Sequence, residues 1–198
     1  MRKRIGVICV LLGALCIVGS VGFVIYNRWE DKKAEEITQS LLEDVKSIIN
    51  EKTTGLDETQ MATIKVNGYD SIGILSIPVL NLELPVLTDW SYAKLKKAPC
   101  HYYGSYYEKD FVIAAHNYKA YFGRLSELQT GDIVFFTDVN GAVYYYEVVL
   151  LETLPKNATK EMITSGFDLS LYTCTLDRAG RVTVRCNAIE DREGKSFE

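Results

Sequence analysis

Residues 5–26, IGVICVLLGALCIVGSVGFVIY, run for twenty-two residues without a charged side chain. At about 1.5 Å per residue, a helix of that length reaches roughly 33 Å, enough to cross a hydrocarbon layer of about 30 Å. A cleaved signal peptide has a shorter apolar stretch, about 7–15 residues, ending at a small-residue cleavage site. No A-x-A site follows here, so an uncleaved anchor is expected. MRKR precedes the span and NRWEDKKAEE, of mixed sign, follows it. The excess of positive charge on the first side puts residues 1–4 in the cytoplasm and the chain from residue 27 outside. Cys9 and Cys16 lie within the span and read as small apolar residues.

What remains suits one modest globular domain. The 198 residues are 47% hydrophobic with a formal net charge of −4, a balance that does not favour nucleic acid as a partner. The cysteines at 9, 16, 100, 174 and 186 form no CxxC pair, so neither a zinc site nor a stapled mini-domain is expected. No cofactor is implied. Chemistry that needs an imidazole has two candidates, His101 and His116.

Residues 34–52 (AEEITQSLLEDVKSIINEK) place Ile37, Leu41, Val45 and Ile48 at helical spacing, which fits a stalk helix, either docked on the domain or solvated. TTGLDETQ at 53–60 breaks that pattern, and the chain then changes period. Short strand patterns occur at 72–77, 80–84, 110–115, 168–175 and 181–188, with two more around Asn140-Gly141, a dipeptide suited to a type I′ hairpin turn. Short helical patterns interrupt them at 91–98, 122–129 and 158–165. Seven or eight short strands in this length predict a mainly β domain closed, or nearly closed, into a barrel. The expected organisation is a cytoplasmic end at 1–4, an anchor at 5–26, a stalk at 27–66 and a folded domain at 67–198.

The stretch 169–186, LSLYTCTLDRAGRVTVRC, holds two cysteines and three arginines. Its spacing alone leaves a disulfide, a metal site, a nucleophile with helpers, or an ordinary hairpin. Side chains alternate along a strand, so Val182, Val184 and Cys186 share one face while Arg181, Thr183 and Arg185 share the other. Cys186 reads as a core cysteine, with a disulfide or a reactive thiol as alternatives. Cys174 sits where a strand ends and a thiol can be presented at a rim. A thiolate needs positive charge or a proton partner, and an acyl oxyanion needs donors. Arg181 and His116, the latter at the end of FVIAAHNY, supply both types. From Arg181 to Arg185 a strand advances roughly 13 Å, too far for both to serve one oxyanion, and Arg181 lies nearer the cysteine across the turn. Arg185 reads as a surface or ion-pair residue.

YTCT followed by GRVTV resembles the T-L-x-T-C…R strand pair of sortases; VIAAHN resembles their histidine strand, and FGRLSELQTGDIVFF the segment that follows it. The resemblance covers residues 69–187. Tyr172 stands where many sortases have Ser, Ile or Val, and six residues separate Cys174 from Arg181, a short connection for that family.

The resemblance implies the eight-stranded sortase barrel and a cysteine transpeptidase of Gram-positive bacteria. Its substrates would be surface proteins bearing an LPxTG-like sorting signal. Its acceptor would be an amine, on a cell-wall precursor or a pilin lysine. Carried over, Cys174 attacks the carbonyl and forms a thioester, and His116 moves the proton of the leaving and then of the incoming amine. Arg181 holds substrate and oxyanion, and Thr173 supports the site through its backbone or hydroxyl. A lid-bearing pilin sortase is not expected, because no aspartate-centred lid motif precedes the barrel and no second apolar run follows it. Asp89-Trp90 reads as a structural turn. A papain-type protease would need its cysteine before its histidine, whereas here His116 precedes Cys174. The other alternative is a non-catalytic barrel that binds glycan or peptide through tyrosines 102, 103, 106, 107 and 144–146.

Overall fold

In the computed structural model, residues 2–51 and 61–189 are described, and the chain divides into two compact units, Met1–Lys33 and Ala34–Glu198. The turn-forming stretch at 53–60 and the C-terminal residues 190–198 lie outside the described residues. The first unit belongs to helix α1 (Arg2–Glu51). Its Leu11, Leu12, Leu15, Ile17, Val18 and Val21 are all exposed, and α1 is long and apolar enough to cross a membrane.

The second unit is built on nine strands among the described residues: β1 (Ile64–Val66), β2 (Tyr69–Ile77), β3 (Leu82–Leu87), β4 (Cys100–Tyr103), β5 (Phe111–Ala114), β6 (Ile133–Asp138), β7 (Val143–Pro155), β8 (Leu169–Cys174) and β9 (Gly180–Ala188). Two short helices, α2 (Tyr92–Leu95) and α3 (Thr159–Ile163), lie between them. The sheet order is β1-β2-β3-β4-β5-β8-β9-β7-β6, and β2 pairs back onto β6. That pairing closes β2 to β9 into an eight-stranded barrel, as the sequence predicts, with β1 an extra strand on the rim of β2. Gly73 permits the closure: a Cβ there would lie 2.1 Å from the Thr137 carbonyl oxygen of β6.

Alternation sends one side of each strand into the barrel. Leu75, Ile77, Phe111, Ile113, Phe136, Val148, Leu169, Leu171, Val184 and Cys186 form that core, each contributing about 1.5–3 kcal/mol of apolar burial when large and fully enclosed. A second cluster lies outside the barrel wall. There Leu41, Leu42 and Val45 of α1 pack on Ile64, Val66, Ile74, Leu87, Ala98, Cys100 and Val139. The stripe of Ile37, Leu41, Val45 and Ile48 is therefore docked, and the compact unit begins at Ala34.

Three local features differ from the sequence reading. Asn140-Gly141 does not form a type I′ turn, because only Gly141 has positive φ (86°). The Asp138 carboxylate accepts from the Asn140 and Ala142 backbone N–H groups, each at 2.9 Å, and Gly141 N–H donates to the Asp138 carbonyl, which favours a three-residue loop ending in a left-handed glycine. His101, read from its tyrosine-rich surroundings as a loop residue, lies in a strand, β4, and its ring nitrogens sit 3.0 Å from the Thr88 carbonyl and 2.8 Å from that of Gly104. The helical pattern at 122–129 reduces to one 3-10 turn, Leu125–Glu127.

One connection matters for the site. Strands β7 and β8 are both antiparallel to β9, hence parallel to each other, so residues 156–168 cross over β9 and carry α3. Asp110 fastens that crossover by accepting from Ser165 N–H at 2.7 Å, Ser165 Oγ at 2.8 Å and Gly166 N–H at 2.9 Å.

Candidate active site

Register alone brings the expected residues into one row. Strand β5 runs parallel to β8 with Ala114 beside Tyr172, and the pairing continues past the strand end: Ala115 N–H donates to the Tyr172 carbonyl at 3.1 Å, and the Thr173 hydroxyl donates to the Ala115 carbonyl at 2.9 Å. One residue further, His116 is level with Cys174. On the other side, Cys174 and Arg181 are the last cross-strand pair of β8 and β9. With strands about 4.8 Å apart, the row His116–Cys174–Arg181 spans roughly 10 Å across three neighbouring strands.

The three also share a face. Ile113, Leu171 and Val184 point into the core, and so by alternation do Ala115, Thr173 and Val182. His116, Cys174 and Arg181 therefore lie on the outward side, and all three are partly exposed, with the His116 Nε2 atom itself buried. The turn from 175 to 180 holds the end of the row. Thr175 N–H donates to the Gly180 carbonyl at 3.0 Å, Gly180 N–H donates to the Thr175 hydroxyl at 2.9 Å, and the Asp177 carboxylate accepts from the Thr175 hydroxyl and from Ala179 N–H. Those two donors hold the Asp177 carboxyl below its ordinary range.

Among the cysteines of the second unit, Cys174 is the one that solvent reaches. Cys100 and Cys186 are each 0% exposed, and burial pushes both thiols up to about 12. Cys174, Cys100 and Cys186 are all unpaired, so of the four readings of the 169–186 stretch no disulfide is formed. Among the described residues, no group of three or more His, Cys, Asp or Glu is gathered closely enough to hold a metal ion.

The supporting residues separate clearly. Thr173 is buried and its hydroxyl is committed to Ala115, which leaves its backbone as what it offers the site. Arg178 sits in the turn with φ 59°. Arg185 is not a surface residue: it is 1% exposed, and its guanidinium donates to Glu152 at 2.8 Å, Ser170 Oγ at 2.8 Å, and the carbonyls of Glu161 at 2.8 Å and Met162 at 3.4 Å. It is the ion-pair residue that pins the crossover to β9.

The sequence did not reveal an aromatic series beside the row. Tyr172, two residues before Cys174 and on the same face, meets Tyr102 edge-on at 5.4 Å; Tyr102 meets Trp90 at 5.7 Å, and Trp90 meets Tyr92 at 5.7 Å. Trp90 is 41% and Tyr92 74% exposed. The remaining tyrosines divide: Tyr106 and Tyr146 are buried in the core, with Tyr107 and Tyr144 packed against it.

A thiol with an imidazole just past the end of one neighbouring strand and a guanidinium on the other can attack an acyl carbon, exchange protons with a leaving or entering group, and offset an oxyanion. The family model of the sortase domain matches residues 75–189. Sortase D of Bacillus subtilis (strain 168) is 31% identical over 100 residues, 50% of this chain and 50% of that relative, so the match spans half the length of the curated relative. A Clostridium perfringens sortase D5 transpeptidase superposes with a TM-score of 0.62 at 18% identity, over 78% of this chain and 99% of that one. Sortase C of Streptococcus pneumoniae gives 0.56 at 23% identity over 84% and 91%, and sortase A of Corynebacterium diphtheriae gives 0.56 at 17% identity over 89% and 98%.

Proposed function

Because the chain belongs to the sortase family, we propose that it is a membrane-held cysteine transpeptidase whose nucleophile is Cys174. The observation that carries this reading is the row of His116, Cys174 and Arg181 on one outward face, with Cys174 the accessible thiol beside two buried ones.

In the proposed cycle the Cys174 thiolate attacks the carbonyl of a peptide bond in an LPxTG-like signal. Arg181 offsets the charge on the tetrahedral oxygen, aided by backbone around Thr173. His116 gives its proton to the departing amine, leaving a thioester on Cys174. An incoming amine, from a cell-wall precursor or a pilin lysine, then attacks the thioester, His116 takes its proton back from that amine, and the thiolate leaves. The thioester keeps the acyl group activated, so the peptide bond broken is replaced by an amide formed. The apolar span, with the N-terminus cytoplasmic and the domain outside, would hold enzyme and membrane-retained substrates at high effective concentration. No metal or other cofactor enters the cycle.

Incubation of the full chain with a library of sorting-signal peptides and a set of amine acceptors tests this reading. Formation of a new amide between cleaved signal and acceptor supports it, and a folded protein that cleaves no peptide in the library contradicts it. The second reading, a non-catalytic module for glycan or peptide, is favoured by the exposed Trp90 and Tyr92, and it predicts binding with no acyl transfer.

A further inference from the structure

Tyr121 is 0% exposed and takes no part in the cycle above. Its hydroxyl lies 2.8 Å from the Lys97 carbonyl, 3.2 Å from that of Ala34 and 3.4 Å from that of Lys96. A phenol has one proton to donate, and the shortest contact assigns it to Lys97. The same Lys97 carbonyl accepts a second hydrogen bond, from the Thr38 hydroxyl at 2.9 Å. Thr38 is itself buried on α1, so one carbonyl oxygen joins the helix, the chain following α2, and Tyr121.

Tyr121 is linked to the histidine through Tyr118. Its ring packs edge-on against Tyr118 at 5.5 Å, and Tyr118 lies 5.2 Å from the His116 imidazole. The backbone between them is tightly closed: Phe122 N–H donates to the His116 carbonyl at 3.3 Å, while Tyr121 and Gly123 N–H donate to the Tyr118 carbonyl at 2.9 and 2.8 Å. Gly123 has no room for a side chain, since a Cβ would stand 2.8 Å from that carbonyl. The stretch from 116 to 123 is thus a compact turn fastened to its surroundings by a buried hydroxyl.

We propose that Tyr121 is a positioning residue for His116, tying the turn that carries the imidazole to residues 34–38 of α1 through the Lys97 carbonyl. The inference rests on the reading of His116 as the proton-transfer group. It makes the docked helix part of the frame of the site as well as a cover for the barrel wall.

The test uses the full chain in detergent micelles, with the variants Tyr121→Phe, Thr38→Val, the double variant, and His116→Ala as a reference. Small misplacements of a reacting group lower turnover, so Tyr121→Phe is expected to reduce kcat about tenfold with KM within about twofold, and Thr38→Val to reduce kcat several-fold. The double variant is expected to be no slower than Tyr121→Phe, because both hydroxyls act on one carbonyl. A folded Tyr121→Phe protein with unchanged kcat, a loss confined to KM, or single losses that multiply in the double variant would overturn the proposal. If Tyr121→Phe does not fold, an unchanged kcat in Thr38→Val overturns it and a reduced kcat at constant KM supports it. An active His116→Ala protein would instead remove the reading of His116, whereas an inactive one beside a fully active Tyr121→Phe removes the positioning role alone.

Discussion

Cys174 and Arg181 are direct cross-strand partners, the last pair of the β8–β9 ladder, and the turn that joins them closes on its own hydrogen bonds between Thr175 and Gly180. The six-residue connection holds Cys174 opposite Arg181 in the ladder without help from a longer loop. Arg185, four residues along, is buried on Glu152, Ser170 and the crossover carbonyls. The two arginines therefore stand in different surroundings.

Arg181→Ala is expected to lower kcat/KM by about 100-fold or more, as loss of an oxyanion donor does, with Arg178→Ala changing it by less than about tenfold. Arg185→Ala is expected to act on stability, costing about 3–5 kcal/mol, because Glu152 and the crossover carbonyls lose a buried charged partner. Steady-state kinetics and urea denaturation of the three variants check this. An Arg185→Ala protein of normal stability with no activity, beside an active Arg181→Ala protein, would exchange the roles.

His101 and His116 should separate in the same way. His116→Ala is expected to remove most transpeptidation. His101→Ala is expected to cost about 1–3 kcal/mol of stability by removing the ring N–H donated to one of the Thr88 and Gly104 carbonyls, while the folded protein keeps its turnover. Equal activity losses at equal folded fraction would contradict the distinction.

The docked segment of α1 should be needed for the barrel. Leu41 is buried against the outer wall, so Leu41→Ala is expected to cost about 2–5 kcal/mol. A fragment starting at Asn67 is expected to expose Ile74, Leu87 and Cys100, and its Cys100 thiol should become alkylatable, whereas a fragment starting at Ala34 keeps it protected. Alkylation with mass mapping of Cys100 reads this out, and equal protection in both fragments would contradict it.

Acid should loosen the crossover through Asp110. Burial alone raises this carboxyl, but hydrogen bonds from the Ser165 hydroxyl and from the Gly166 and Ser165 N–H groups outweigh it, and Asp110 titrates below its ordinary 3.8. A depressed folded value means that its contribution is fully present above that ordinary value and is lost as pH falls below it toward the folded one. Urea midpoints measured from about pH 5 downward should fall more steeply for the wild-type protein than for Asp110→Ala. Parallel pH dependences in the two proteins would count against this role.

Much of this architecture was legible in the sequence. The strands at 72–77, 110–115, 168–175 and 181–188 carry their own hydrophobic period, and alternation along the last one correctly sends Cys186 into the core. Strand β4 was not legible: CHYY is flanked by a tyrosine-rich tract, and it is held by pairing with β5 and one bridge to β3, which are tertiary relations. The docking of α1 could not be decided from its stripe alone, because the receiving surface is assembled from Ile64, Ile74, Leu87, Ala98 and Val139, scattered over separate segments. The burial of Arg185 was hidden for the same reason, since its acceptors Glu152, Glu161 and Ser170 come from three separate parts of the chain. The aromatic series from Tyr172 to Trp90 joins β8, β4 and the loop after β3, so sequence distance conceals it as well.

The central claim is that Cys174 is the acyl-accepting nucleophile, and intact-mass analysis followed by peptide mapping tests it most directly. With a cleavable sorting-signal peptide and no amine acceptor, the account predicts one covalent acyl adduct, located on Cys174, lost in Cys174→Ala and retained in Cys186→Ala. An adduct mapped to Cys100 or Cys186, or turnover that persists in Cys174→Ala, would contradict it.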